Sequence, residues 1–173
     1  MAEKKKSGTV AVAREAGTGR GGEMEELLRL ENQLCFALYS ASNLLTRLYR
    51  PLLEPLGITY PQYLALLALW ERAPRTVGEL GQALGLDSGT LTPLLKRMEA
   101  NGLVVRKRAA EDERRVQVEL TPAGQQLRAR AVTIPKEMFC KLPLAPDEAA
   151  ELRDSLKRLA RGMREVDAEG EHS

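Results

Sequence analysis

The segment TVGELGQALGLDSGTLTPLLKRMEANG, residues 76–102, admits few folds. Thr76 followed three residues later by Glu79 is a reciprocal helix-start signature, and Asp87 ahead of SGTL is a second helix start. Gly85 stands between them, where a left-handed residue closes the first helix, and Asn101-Gly102 closes the second. Two short helices joined through one glycine turn make a helix-turn-helix. Leu80, Ala83 and Leu84 of the first are expected to point inward, and Leu91, Leu94, Leu95 and Met98 of the second share one face at the 3.6-residue period. The opposite face is Gly89, Thr92, Pro93 and Lys96, flanked by Thr90 and Arg97. Pro93 lacks an amide hydrogen, which predicts a local loosening of this helix rather than a break.

After Gly102 the period changes. LVVRKR, then AAEDER, then RVQVELT read as strand, turn and strand, with Val116, Val118 and Leu120 inward and Gln117 and Glu119 outward. A hairpin directly behind a helix-turn-helix is a wing. Its cations, Arg106, Lys107, Arg108, Arg114 and Arg115, gather around the tip. Such a run is ordinarily a solvated hairpin, but in this position contact with nucleic acid is the better reading, since an arginine on a thin loop fits the minor groove. Small polar groups at a helix N-terminus followed by cations suit a phosphate-lined major groove. The net charge of +2 decides nothing here; the distribution of charge does.

The flanks are helical. Residues 1–22 carry no sustained period and read as a disordered basic tail. From about Glu23 a stripe of Leu28, Cys35, Leu38, Tyr39, Leu45, Tyr49 and Leu52, widened by Leu27, Leu34 and Leu48, predicts one long helix that Pro51, Pro55 and Gly57 end. Thr59 and Gln62 form another capping box, opening a helix through Trp70, in which Tyr63 and Trp70 belong to the core. Thr121-Pro122 starts a helix toward Leu142 with a bend near Pro135, and DEAAELRDSLKRLARGMREV after Pro146 is a last amphipathic helix whose Leu152, Leu156, Leu159 and Met163 stripe needs a partner. The fold class expected is therefore mainly α with a small β wing. A winged helix-turn-helix over residues 57–122 is flanked by a helical dimerisation layer from residues 23–56 and 123–173. A homodimer would set two recognition helices into successive major grooves of a pseudo-palindromic double-stranded DNA site, about 34 Å apart.

Other chemistries find little support. The one histidine, His172, lies at the C-terminal end, so neither a histidine-based catalytic site nor a zinc site is expected, and no metal or cofactor is. YLALLALW, the longest apolar stretch, is too short to cross a membrane. Two cysteines in no metal-like spacing fit a reducing cytoplasm better than a disulfide scaffold.

Those cysteines pose the remaining question. Cys35 has Tyr39 one helical turn on, where a phenol can lie over the same face. Tyr49, fourteen positions on, stands about 21 Å away along a continuous helix at 1.5 Å per residue. A contact between Tyr49 and a Cys35 therefore needs either a second subunit or a broken helix. Phenol donors favour the thiolate, the reactive form of a thiol. Apolar neighbours Leu34, Phe36 and Leu38 would favour an organic hydroperoxide over hydrogen peroxide. The bland alternative is a small buried hydrophobe.

The chain resembles the MarR family of winged helix-turn-helix regulators and, within it, the organic hydroperoxide resistance regulators. The likeness covers residues 25–142 and rests on LENQLCFALYSAS, GITYPQYLALLALWE, LDSGTLTPLLKRMEANGLVVRKR and EDERRVQVELTPAG. It implies that Cys35 is the peroxide-reactive thiol, hydrogen-bonded by Tyr39, Tyr49 and Tyr60. It implies also that Ser88, Gly89 and Thr90 begin the recognition helix, and that Asp112 and Arg114 form a wing-tip pair whose arginine, beside Arg115, reaches the minor groove. Some members rely on the one cysteine plus a small thiol, and others carry a second cysteine in the later helices that closes a disulfide across the dimer. Cys140 sits in such a region, so the two-cysteine type is implied. The function so implied is a repressor, not an enzyme, that leaves DNA when an organic hydroperoxide oxidises it. Within the same family the rival is a regulator of a small aromatic ligand with structural cysteines. A thiol peroxidase is disfavoured, because no strand–helix alternation and no C-x-x-C is present.

Overall fold

The computed structural model describes residues 25–108 and 115–170. It divides into an N-terminal unit ending at Leu45 and a second unit starting at Thr46. In chain order the elements are α1 (Leu34–Leu53), α2 (Tyr60–Glu71), β1 (Arg75–Thr76), α3 (Val77–Leu84), α4 (Ser88–Ala100), β2 (Val104–Arg108), β3 (Val116–Leu120), α5 (Pro122–Ala131), α6 (Ile134–Phe139) and α7 (Pro146–Gly170).

The first helix begins later than its apolar stripe suggests. Residues 25–27 form one helical turn and Leu30–Asn32 a 3-10 turn, with extended backbone at Arg29 and Gln33 before α1 starts at Leu34. The side chains of Asn32 and Gln33 explain the interruption. Asn32 donates to the carbonyl oxygen of Glu26 at 2.8 Å and Gln33 donates to that of Leu27, satisfying backbone groups that a continuing helix would have paired. At the other end Pro51 does not stop α1 but lies inside it. The stop comes with the 3-10 turn Glu54–Leu56 and Gly57, whose φ of 68° only glycine adopts without strain.

The core belongs to the second unit. Tyr63, Ala65, Leu66 and Leu69 of α2, Leu80 of α3, and Leu91, Leu94, Leu95 and Met98 of α4 meet there with Val104 and Val118 of the sheet and Leu127, Ala131 and Ile134 of α5 and α6. Ala83 departs from its expected inward place and is exposed, because only Leu80 of α3 is fully enclosed. The capping boxes are present as read: the amide of Thr59 donates to Gln62 at 2.8 Å, and that of Thr76 to Glu79 at 2.7 Å. Helix α4 continues through Pro93 without a break. The carbonyl that the missing amide would have met is that of exposed Gly89, where water can serve instead.

The wing contains one strand more than the sequence suggests. β2 and β3 pair antiparallel, with Val104 opposite Leu120 and Arg108 opposite Val116, and β1 pairs with the far side of β3, Arg75 opposite Val118. The sheet order is β1-β3-β2. Two residues are too few for a periodic signal, so β1 is invisible until β3 is beside it. Coverage on both sides also blurs the expected alternation. Val118 is buried, while Val116, Gln117, Glu119 and Leu120 are all half-buried. The helix expected to run from Pro122 toward Leu142 is two helices, α5 and α6. Pro135 sits in the first turn of α6, where its missing amide has no helical partner to lose, so the chain restarts there rather than bending.

Helices α1 and α7 bury little of their apolar stripes. On α1, Leu34, Leu44 and Leu48 remain exposed, and on α7 so do Leu152, Leu156, Leu159, Met163 and Val166. No described helix is long and apolar enough to cross a membrane. Among the described residues no group of three His, Cys, Asp or Glu side chains could hold a metal ion.

Candidate functional site

Helix α4 owes its orientation to its sequence. Leu91, Leu94, Leu95 and Met98 are buried, which forces Ser88, Gly89, Lys96 and Arg97 onto the exposed side. The helix is started by Asp87. Its carboxylate accepts from the amide of Thr90 at 2.9 Å and from the hydroxyl of Thr90 at 2.8 Å, and these bonds hold its carboxyl below the usual carboxylate range. Thr90 is thus committed as a donor to the cap and keeps its hydroxyl lone pairs for a further contact. A Cβ at Gly89 would stand 3.0 Å from Asp87 Oδ1, so glycine leaves that cap uncrowded.

Thr92 is half-buried and lines a groove of about 500 Å³ together with Thr76, Gly78, Glu79, Arg106 and Arg115. The groove is bordered by the start of α3, the flank of α4 and both wing strands. Four of the five wing cations lie among the described residues, and two of them are occupied. Arg106 is bound to Glu99, and Lys107 Nζ lies 2.6 Å from Glu119 Oε2. Carboxylates on neighbouring elements neutralise these two, and Arg108 and Arg115 are left without an ion pair among the described residues. Lys96 and Arg97 are likewise unpaired there. Asp112 and Arg114 lie outside the described residues.

The sulfur and phenol groups fall in two sets. Cys35 and Tyr39 belong to the N-terminal unit, and both are exposed on α1. Cys140 follows the last turn of α6 and is also exposed; both thiols are free. In the second unit Tyr49 and Tyr60 are brought together with ring centroids 4.6 Å apart, and Tyr63 joins them at 5.8 Å from Tyr49. Tyr63, read from the sequence as core only, is therefore also a wall of the phenol cluster, and it meets the edge of Trp70 at 6.4 Å. Tyr49 and Tyr63 stand on different helices, so no local pattern encodes their contact.

Burial, reinforced by Tyr60 and then Tyr63, pushes the Tyr49 phenol up to about 12, and burial also raises Tyr60 and Tyr63. All three remain protonated donors throughout the neutral range. Because the folded value of Tyr49 exceeds the unfolded one of about 10, the folded chain binds more protons between them. The stability this group contributes is complete below about pH 10 and is lost as pH rises through about 12. In an ultraviolet phenolate titration Tyr49→Phe is expected to remove a step near pH 12. A late step surviving in that variant would sink the assignment.

The chain is similar to known transcriptional regulators. Residues 47–130 match the family described as transcriptional regulator SarA/Rot. The chain is 51% identical over 132 residues, 76% of its length and 90% of the relative, to the organic hydroperoxide resistance transcriptional regulator of Bacillus subtilis. Among solved structures it is similar to reduced AbfR bound to DNA, with a TM-score of 0.70 at 38% identity over 83% of this chain and 98% of that one. It is similar also to disulfide-formed AbfR, with a TM-score of 0.54 at 42% identity over 82% and 99%; AbfR is a protein of Staphylococcus epidermidis.

Proposed function

The chain belongs to the MarR-like winged-helix transcriptional regulators, the family of the organic hydroperoxide resistance regulator, and we propose that it is a dimeric, thiol-controlled repressor. Residues 57–122 bind double-stranded DNA through Ser88, Gly89, Thr90, Thr92, Lys96 and Arg97 in the major groove and through the wing, Arg115 with Asp112 and Arg114, in the minor groove. Residues 23–56 and 123–173 associate two copies, which covers the exposed leucines of α1 and α7.

The observation that carries the redox part is that Cys35 is a free thiol on α1 with the phenol of Tyr39 one helical turn away on the same helix. The relatives support the same reading, one named for organic hydroperoxide resistance and one solved in a disulfide form. In the reaction, the Cys35 thiolate attacks the terminal oxygen of the hydroperoxide. The O–O bond breaks, the alkoxide leaves and takes up a proton, and the sulfur becomes a sulfenic acid. The thiol of Cys140 from a second copy then attacks that sulfur, water departs and a disulfide forms. Fourteen residues of continuous helix span about 21 Å, so in this reading Tyr49 supports the Cys35 of the other subunit. Closing the disulfide requires Cα atoms within about 7 Å; where the reduced dimer holds them farther apart, the helices must move, and that movement alters the spacing of the two α4 helices and releases DNA.

The test is an intact mass spectrum under non-reducing conditions after one equivalent of an organic hydroperoxide per subunit. A covalent dimer is expected, absent from Cys35→Ser and from Cys140→Ser alike. A monomer carrying one added oxygen at Cys35 would remove Cys140 from the mechanism, and an unchanged mass would sink the redox reading. A second reading has one observation in its favour: a cavity of about 610 Å³ lined by Arg47, Arg50, Leu53, Ile58 and Tyr60, wide enough for a small aromatic acid. It predicts a Cys35→Ser variant whose DNA release still responds to such a compound.

A further inference from the structure

Glu99 was not among the residues singled out by sequence, and no part of the proposed mechanism uses it. Its carboxylate makes three bonds to one residue of the wing. Oε1 accepts from the backbone amide of Arg106 at 3.0 Å, and Oε2 accepts from Arg106 Nε at 2.9 Å and Nη2 at 2.6 Å. The Arg106 bonds hold the Glu99 carboxyl below the usual carboxylate range, so it is charged at neutral pH.

The position of this pair matters more than its strength. Glu99 lies in the last turn of α4, and Arg106 is the middle residue of β2, paired with Val118 of β3. Between them the chain leaves the helix at Gly102, with a φ of 68°, where Gly102 N donates to the Glu99 carbonyl at 2.9 Å. One carboxylate therefore spans the turn that joins the recognition helix to the wing. It grips the strand by main chain and side chain together. Arg106 also lines the groove between α3, α4 and the wing, in which Thr92 and Arg115 stand. Without Glu99, that groove would hold a second unpaired guanidinium.

We infer that Glu99 is a positioning residue for DNA specificity. It fixes the angle between α4 and the wing, and it withholds the Arg106 charge from the phosphate backbone. Phosphate contacts add affinity without sequence information, whereas base contacts require the helix and wing to engage in register. Removing Glu99 is therefore expected to strengthen binding to random-sequence DNA while weakening binding to the preferred sequence. The inference rests on the DNA-binding reading of α4 and the wing.

The experiment begins by selecting a preferred duplex from a random library with the full-length, reduced protein. Affinities for that duplex and for a scrambled one are then measured across a salt series for wild type, Glu99→Gln, Glu99→Ala and Glu99→Gln/Arg106→Gln, each checked for folding by circular dichroism. Glu99→Gln keeps the size of the side chain and loses its charge. The specific-to-scrambled ratio is expected to fall about tenfold or more in all three variants, on the scale of one lost base-pair discrimination. The salt slope on scrambled DNA is expected to steepen by about 0.9 for each released arginine in the single variants and to return to the wild-type value in the double variant. If folded variants change both affinities by one common factor, or change neither, the pair is only a structural brace and the inference fails. A wild-type chain that selects no duplex at all would overturn the DNA-binding reading itself, and the inference with it.

Discussion

Alanine at Lys96, Arg97 and Arg115 together is expected to flatten the salt dependence of DNA binding and to abolish high-affinity binding at physiological ionic strength. The burial of Leu91, Leu94, Leu95 and Met98 leaves Lys96 and Arg97 on the exposed side of α4, and Arg115 stands in the groove beside Thr92. None of the three is engaged in an ion pair among the described residues, in contrast to Arg106 and Lys107, so their charge is available to phosphates. Each phosphate contact contributes about 0.9 to the slope of log affinity against log salt. Three cations in each of two subunits then account for a slope of about 5, or roughly a thousandfold change between 50 and 200 mM salt. The check is a fluorescence-anisotropy salt titration on a selected duplex. A triple variant with the wild-type slope would mean that DNA meets another face of the chain.

Gly124→Ala is expected to be the most destabilising single methyl addition in the described chain. A Cβ at this position would stand 2.1 Å from the carbonyl oxygen of Leu103, 3.1 Å from its carbonyl carbon and 3.2 Å from Leu120 Cδ2. Two of these are backbone atoms and cannot rotate away. The Leu103 oxygen is moreover held by the amide of Thr121 at 3.1 Å, and the Gly124 carbonyl accepts from Trp70 Nε1 at 3.0 Å. Relief therefore requires α5 to lift from the start of the wing, which breaks a cap and strains the Trp70 bond at once. Overpacking against movable side chains costs about 1–3 kcal/mol. Against backbone the upper end or beyond applies, so a loss of about 3 kcal/mol and a Tm lower by about 6–12 °C are expected. Trp70 is the only tryptophan, so its fluorescence follows this joint directly. Gly78→Ala is the contrast: a Cβ there meets nothing within 4 Å, and the residue lies in the first turn of α3, so alanine should hold or raise Tm. Equal Tm values for the two variants would refute the steric account.

The sequence by itself determined whatever a residue settles with neighbours a few positions away. The caps at Thr59, Thr76, Asp87 and Thr121, the glycine stops at Gly57, Gly85 and Gly102, and the buried face of α4 are all legible because helical hydrogen bonds and side-chain stripes have a range of about four residues. The candidate DNA face followed from them, since burying four residues of a helix exposes the rest. The same local reading erred where a side chain competed with the helix, as Asn32 and Gln33 do, or where a proline could serve equally as an end, an interior residue or a beginning, as Pro51 and Pro135 do. Tertiary structure alone decided which charges are free, which aromatic rings touch, and where a methyl group cannot fit. Glu99 meets Arg106, Tyr60 meets Tyr49, Arg75 pairs with Val118, and Gly124 rests on Leu103 only because distant segments arrive at the same place. Ion pairing, ring stacking and steric exclusion act over a few ångströms of space irrespective of separation along the chain, so no local pattern announces them.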